Sequence, residues 1–314
     1  MNIALFLALA GCILMVLLPD IALLSAQKGI ALWAGSVLPA LLPFFICVGF
    51  LNSLGITDYL PRGLFIFTMS VLAGYPMGAR LIGEMVRKGE IDTRQARRLI
   101  SFGSTSGPTF LLGAVGAGML GSVTAGIVIA VSHYIGALLT GLLFCGMDSL
   151  RKTKKRSSDN RNAFSTEAEN KMRERGVWQK GRNNDLFAVF TDSILGALKS
   201  LGIVLAYIVL FMFITDLIQF SGLLNFFDMP QVKALIKGFL EMTVGCAAIS
   251  RTMAAFNIKI LFCTFLVSFG GISVIGQSMS MLAGSGISFK YFIAVKLCHG
   301  VASCGVALLC LFFI

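Results

Sequence analysis

The chain has 314 residues, a formal net charge of +11, 56% apolar and 13% charged side chains, and a mean hydropathy of +0.85. A soluble domain carries about 25% charge and has too little interior to hide so much apolar surface. A water-soluble fold is therefore excluded, and an all-α polytopic membrane protein is predicted. The basic excess does not point to nucleic acid: 25 of the 41 Asp, Glu, Lys and Arg residues, and 16 of the 26 basic ones, fall in 84–98 and 148–185. That is the pattern of loops facing the cytoplasm.

A crossing helix needs about 20 mainly apolar residues. In chain order the candidates are 2–18, 32–55, 63–83, 99–121, 123–147, 188–220, 232–255, 258–283 and 290–314, which predicts eight to nine spans. The first, Asn2 to Leu18, has no basic n-region and no small-x-small site after Pro19-Asp20; it reads as a retained anchor rather than a cleaved signal. Segment 63–83 carries Gly74-Tyr75-Pro76 at its middle. Proline there removes a helical hydrogen bond, so this segment is expected to kink or to be re-entrant. The 188–220 run is long enough to tilt or break. The eight cysteines all lie in apolar segments without a CxxC pair and read as small buried hydrophobes.

The 84–98 loop holds five basic and three acidic residues, the 148–185 loop eleven and six. Two spans separate them, so both can face the cytoplasm. Loop 221–230, with Asp228 and no Lys or Arg, suits the outer side, and Arg251 and Lys259 are expected back inside. Stretch 148–185 has few apolar residues and reads as a flexible linker, its cluster from Arg151 to Arg156 able to touch anionic lipid. The chain thus divides into an anchor and connection (1–29), a first membrane repeat (30–147), the basic loop (148–185) and a second membrane repeat (186–314).

The repeat is read from matched positions. Ser101-Phe102-Gly103 recurs as Ser268-Phe269-Gly270, and the only two histidines, His133 and His299, follow at nearly the same offset. Gly78 falls opposite Gly245, Phe44 opposite Phe211, and hydroxyl-rich stretches follow each SFG. Duplicated halves with Gly- and Pro-interrupted segments are a pattern of secondary transporters. Four full spans per half would make the copies parallel; one re-entrant element per half would make them inverted.

The runs LPALLPFF (38–45), AGYPMGAR (73–80), RRLISF (97–102) and AVSHYIG (130–136) resemble the sporulation integral membrane protein YlbJ family, within the wider nucleoside-recognition, or Gate, group. The resemblance extends from about residue 30 to the C-terminus. It implies a pore-and-gate fold shared with concentrative nucleoside transporters and the FeoB iron permease, a spore-forming bacterium, and a role in spore-envelope formation. It does not fix a substrate.

Glu241 stands in the apolar run 234–249, at the repeat position of Gly74. A carboxylate near the bilayer centre is costly and normally faces a cavity or a partner; the bland alternative is an i,i+4 pair with Lys237. His133 and His299 are candidate gating or proton-relay groups, with Gly74 and Pro76 as gating elements, because histidine titrates near neutral pH; a satisfied buried imidazole is the commoner case. Lys296 shares a helical face with His299, and Lys199 sits in a long apolar run, but either can snorkel to an interface. Arg80 could hold an anionic solute or a phosphate headgroup, and equally reads as a positive-inside residue. The glycines at 113, 116, 118 and 121 suit helix packing better than a phosphate loop. HExxH, GxSxG and Walker motifs are missing from the sequence, so neither an enzyme nor a metal or other cofactor is expected.

The favoured function is a transporter or channel for a small polar solute; the alternative is a non-transporting scaffold for spore-envelope (cortex) assembly. Expected partners are the solute, membrane lipids, and other sporulation membrane proteins or a second copy, in the cell membrane (the mother-cell or forespore membrane of a spore-former). The solute site is predicted where Glu241, Ser104, Thr105, Ser106, Ser273, Gln277 and Arg80 converge near the membrane midplane. Otherwise the hydroxyls would be stranded in hydrocarbon.

Overall fold

A computed structural model describes residues 3–56, 59–156 and 186–313, and every regular element among them is helical. The chain opens with α1 (Ile3–Leu17) and α2 (Pro19–Leu32). Pro19 sits at the first turn of α2, where its missing N–H costs nothing, and the two helices meet at 104°. The stretch read as a connection after the anchor is therefore itself helical. Ser25 on α2 donates to Asp216 at 2.8 Å, and Trp33 donates to the Leu201 carbonyl at 3.0 Å, seating this unit on the later helix α8 (Leu186–Phe220).

A short π-helical turn (Trp33–Val37) leads into α3 (Leu38–Ser53), followed by α4 (Arg62–Ala73), α5 (Met77–Arg87) and α6 (Thr93–Ile100). Asp92 and Gln95 form a reciprocal capping box that fixes where α6 begins. Residues 104–107 have no regular structure; a π-helix (Thr109–Met119) and the long α7 (Val123–Arg156) follow. Helix α7 thus extends past 148, where the sequence suggested a linker. The remainder of that loop, 157–185, lies outside the described residues. The second half holds α9 (Pro230–Leu240), α10 (Met242–Ser250), α11 (Phe256–Phe269), α12 (Gly271–Met281) and α13 (Phe289–Phe312).

Four stretches among the described residues are long and apolar enough to cross a membrane: 123–147, 186–220, 256–281 and 289–312, with a fifth if the bent α1–α2 pair counts as one span. The nine apolar runs are therefore not nine unbroken spans. Runs 63–83 and 232–255 each fold back on themselves. A Cβ added at Gly245 on α10 would strike the Gly238 backbone on α9, which is possible only if the two helices run antiparallel about Glu241. Arg251 and Lys259, whose ammonium donates to the Ser250 carbonyl at 2.9 Å, consequently lie at the same end as loop 221–230. The α11–α12 span then runs to the opposite end, where Arg87 donates to the Met281 carbonyl at 3.0 Å. The expectation that Arg251 and Lys259 return to the side of 84–98 is corrected on that geometry.

Two large apolar clusters among the described residues bind the helices, one around Phe45, Phe65, Met77 and Phe292, the other joining the π-helix, α7, α11 and α13 through Leu111, Ile129, Cys263 and Ala307; a small third one joins Tyr75, Met242 and Val274. Helices α7 and α13 pack most closely. Gly136 lies directly on the Ser303 backbone. Further along, Phe144 meets Tyr291 edge-on at 5.5 Å, which sets the pair antiparallel.

Candidate functional site

The helices break at four interior places, and breaks at membrane depth expose backbone groups that water cannot satisfy. At the first, Gly74 adopts φ +75° and the following Tyr75–Pro76 peptide is cis. A Cβ at Gly74 would lie 2.7 Å from the Gly107 nitrogen, so only glycine lets this break rest on the second one, 104–107. At the third, Glu241 is extended (φ −140°, ψ 114°) and caps α10, accepting from the Val244 N–H at 2.8 Å. The fourth is Gly270-Gly271, both at positive φ, which packs against the backbone on either side of Glu241.

Three of the breaks border one cavity of about 490 Å³, the size of many small-ligand sites. Its walls are mostly apolar side chains from α2, α3, α8 and the π-helix. The polar groups reaching it are Tyr75, Ser106, Thr109, Glu241, Thr243 and Gln277. Glu241 is only 4% exposed. The described ion pairs are Lys28–Asp216 and Arg80–Glu84, so Lys237 is not its partner; the carboxylate is held instead by the N-terminus of α10, where the helix dipole favours negative charge.

The predicted site residues separate into groups. Glu241, Ser106, Gln277 and Gly74 share the cavity. Ser273 sits behind it, accepting from the Gln277 amide at 3.2 Å, and so orients that side chain rather than lining the wall. Ser104 and Thr105 are buried behind Ser106, and their hydroxyls make no hydrogen bond to described residues. Pro76 is the residue just before α5, at its N-cap, and is not a wall residue. Arg80 is elsewhere altogether: its Nε donates to Glu84 at 2.9 Å, its guanidinium lies 5.4 Å from the Phe45 ring centroid, and Gly49 and Gly196 close on it from α3 and α8. A guanidinium packed this way has no face left for a solute, which removes it from the predicted set.

His133 and His299 also lie outside the cavity wall, with ring centroids 4.6 Å apart. Their tautomers follow from backbone groups that can act in one sense only. The Ser106 N–H donates to His133 Nε2 at 2.8 Å, so that ring carries its proton on Nδ1, facing Ser268 Oγ at 2.8 Å. The His133 carbonyl accepts from His299 Nε2 at 2.9 Å, leaving His299 Nδ1 to accept from Lys296 at 3.4 Å. Lys296 is wholly buried, not snorkelling, and also donates to Tyr75 Oη at 2.7 Å and the Ser104 carbonyl at 3.1 Å. Lys199, by contrast, is exposed on α8.

The same side chains cover the broken backbone. Tyr75 Oη donates to the Val267 carbonyl at 3.2 Å, one of the acceptors freed where α11 ends. Tyr134 donates to the Ser106 carbonyl at 3.0 Å and Ser70 to the Gly103 carbonyl at 2.8 Å. Sequence reasoning missed Tyr75, Tyr134, Thr243 and Ser268 as site residues. Tyr75 stood inside the AGYPMGAR run, and Lys296 one turn before His299. Among the described residues no group of three or more His, Cys, Asp and Glu side chains is placed to hold a metal.

The chain is similar to the sporulation integral membrane protein YlbJ of Bacillus subtilis, with 26% identity over an alignment of 311 residues that covers 90% of this chain and 76% of that one. This supports the YlbJ family assignment. No family model and no solved structure matches. With an integral membrane relative and several apolar helices long enough to cross, the chain is a multi-pass membrane protein related to a sporulation protein. The runs that first suggested YlbJ fall on α3 (38–45), the α4–α5 break (73–80), α6 (97–102) and α7 (130–136).

Proposed function

We propose that this protein works in sporulation as a nucleoside-recognition, or Gate, type membrane protein that passes a small polar solute through the central cavity, with no enzymatic step and no cofactor. The observation that carries this reading is the convergence of Glu241, Gln277, Thr109 and Ser106 on one cavity at the helix breaks. An apolar-walled chamber with a few polar groups is the usual form of a small-solute site, and a buried polar set such as Glu241, Ser106 and Gln277 is costly unless something polar meets it.

Pseudo-symmetry supports the same reading. The two histidines that match at an offset of 166 face one another, as equivalent residues do beside a two-fold axis. They stand on α7 and α13, which run antiparallel, so halves related by this axis are inverted copies, each with one folded-back pair (α4–α5 and α9–α10). Inverted repeats that rock about a site between them are a common design for alternating access. The expected partners are the solute, membrane lipids and, for assembly, other sporulation membrane proteins or a second copy, in the mother-cell or forespore membrane.

The test is flux into vesicles containing the purified protein, for nucleosides, amino acids, dipicolinate-like anions and divalent metals, beside Glu241→Gln. Flux of one class that the variant lowers at least tenfold is the expected result. If no class moves, the transport reading fails. The scaffold alternative is then tested by deleting 157–185 and scoring spores.

A further inference from the structure

Lys296 is a buried cation that the solute path through the chamber does not use. It lies wholly buried on α13, and the ion pairs among the described residues, Lys28–Asp216 and Arg80–Glu84, leave it without a carboxylate. Its three contacts fix its protonation. Tyr75 Oη accepts at 2.7 Å, because its own hydrogen goes to the Val267 carbonyl. The Ser104 carbonyl accepts at 3.1 Å. His299 Nδ1 accepts at 3.4 Å, because that ring's hydrogen is on Nε2, donated to the His133 carbonyl. Three acceptors need three hydrogens, and the ammonium supplies them where a neutral amine has two. The charge also lies 4.4 Å from the Tyr75 ring centroid, a cation–π contact.

The ammonium stands where the helix breaks come together. Tyr75 belongs to the break after Gly74 and Ser104 to the break at 104–107, and a Cβ at Gly270 would lie 3.7 Å from Lys296 Cε. The first two breaks border the chamber through Gly74, Tyr75, Ser106 and Gly107. The other titratable groups around Lys296 are His299 on its own helix and His133 and Tyr134 from α7, with ring centroids 4.6 Å and 5.4 Å apart in turn. From the end of α11 come the Val267 carbonyl, Ser268 and Gly270, none of which titrates. No hydrogen bond or ion pair among the described residues joins Lys296 to Glu241. An ionised group at membrane depth is costly and typically marks an ion or proton pathway. We propose that Lys296 is the proton-coupling site of the transporter: its ammonium clasps the first two breaks together, and its neutral amine releases them. The step is transfer of one proton from Lys296 Nζ to water once the break at 104–107 opens to the chamber. The amine then has two hydrogens for three acceptors, so one contact of the clasp is lost. Coupling of this kind presupposes that a solute moves through the chamber. It needs no sodium ion, because these acceptors already hold a cation of the protein's own.

The experiment places the purified full chain in vesicles loaded with the pH-sensitive dye pyranine, with potassium and valinomycin clamping the voltage. Nucleosides, amino acids, dipicolinate-like anions and divalent metals are supplied in turn in choline medium. The class that moves should carry protons, read as a change of internal pH, and exchanging choline for sodium should alter its flux less than about twofold. Lys296→Arg keeps the charge and the donors but does not release its proton. Proton movement should fall at least about tenfold in it, while exchange of labelled for unlabelled solute persists. Tyr75→Phe removes one acceptor of the ammonium, so the proton is held less tightly. The pH of half-maximal proton-driven flux should then move down by about one unit, and this shift decides the matter if Lys296→Arg does not fold. Solute movement without proton movement, or only with sodium, overturns the coupling and leaves the transport reading standing. Undiminished proton movement in Lys296→Arg, or an unshifted profile in Tyr75→Phe, overturns the assignment to Lys296. If none of the four classes moves, the transport reading and the coupling fall together.

Discussion

Two of the helix breaks meet opposite fates. The break at 104–107 is filled with protein: His133, Lys296 and Tyr134 take its backbone N–H and carbonyl groups one by one. The break at Glu241 borders the cavity, its carboxylate held by a helix N-terminus on the wall of the chamber that Gln277 also lines. Both sets of residues are buried and polar, and burial alone does not separate them. What separates them is whether the protein's own hydrogen bonds use up the polar groups. At the first of these breaks the backbone is used to hold a shape, and only Ser106 and Gly107 border the chamber; the second places its carboxylate on the chamber wall, which is what a binding site needs.

That contrast predicts different consequences for substitution. Lys296→Met should lower stability by about 3 kcal/mol, because it leaves the buried Ser104 carbonyl and His299 Nδ1 without their donor and removes one partner of Tyr75 Oη. Thermal unfolding in detergent measures it, and a near-neutral result would erase the distinction between the two breaks. Gly74→Ala should cost about 2 kcal/mol in the same assay, from the positive φ and from the approach to Gly107. Glu241→Gln should behave in the opposite way. The amide oxygen still accepts from Val244, so stability should change by less than about 1 kcal/mol, while flux falls at least tenfold. A large stability loss with unaltered flux would make Glu241 merely a cap. Gln277→Ala should show the smallest effect, a threefold or so loss of flux with little change in unfolding, since its one described hydrogen bond is to Ser273. If Ser273→Ala lowers flux equally, the amide's orientation is what the solute reads.

Much of the site was legible because local chemistry marked it. Glu241 stood out as a carboxylate inside an apolar run, and Gly74-Tyr75-Pro76 as a sequence no straight helix accommodates. The reading of Arg80 failed for a tertiary reason: its neighbours Glu84, Phe45, Gly49 and Gly196 come from three helices, and only their packing shows that the guanidinium is enclosed. Arg251 and Lys259 misled in a similar way. Charge statistics count loops between spans, and a pair of helices that folds back changes the count without changing the composition. Lys296 was undervalued because snorkelling and full burial look alike along one helix.

By itself, then, the sequence determined the membrane solvent, the helical class, the break at Gly74-Tyr75-Pro76 and Glu241 as a carboxylate inside an apolar run, because each follows from hydropathy, proline and glycine geometry, or the cost of an isolated charge. The tertiary structure decided which polar groups satisfy one another and which remain open. A hydrogen bond between Ser106 and His133, or between Tyr75 and Lys296 across more than two hundred residues, depends on how distant helices meet, and no local pattern encodes that distance. The chamber exists where those bonds stop.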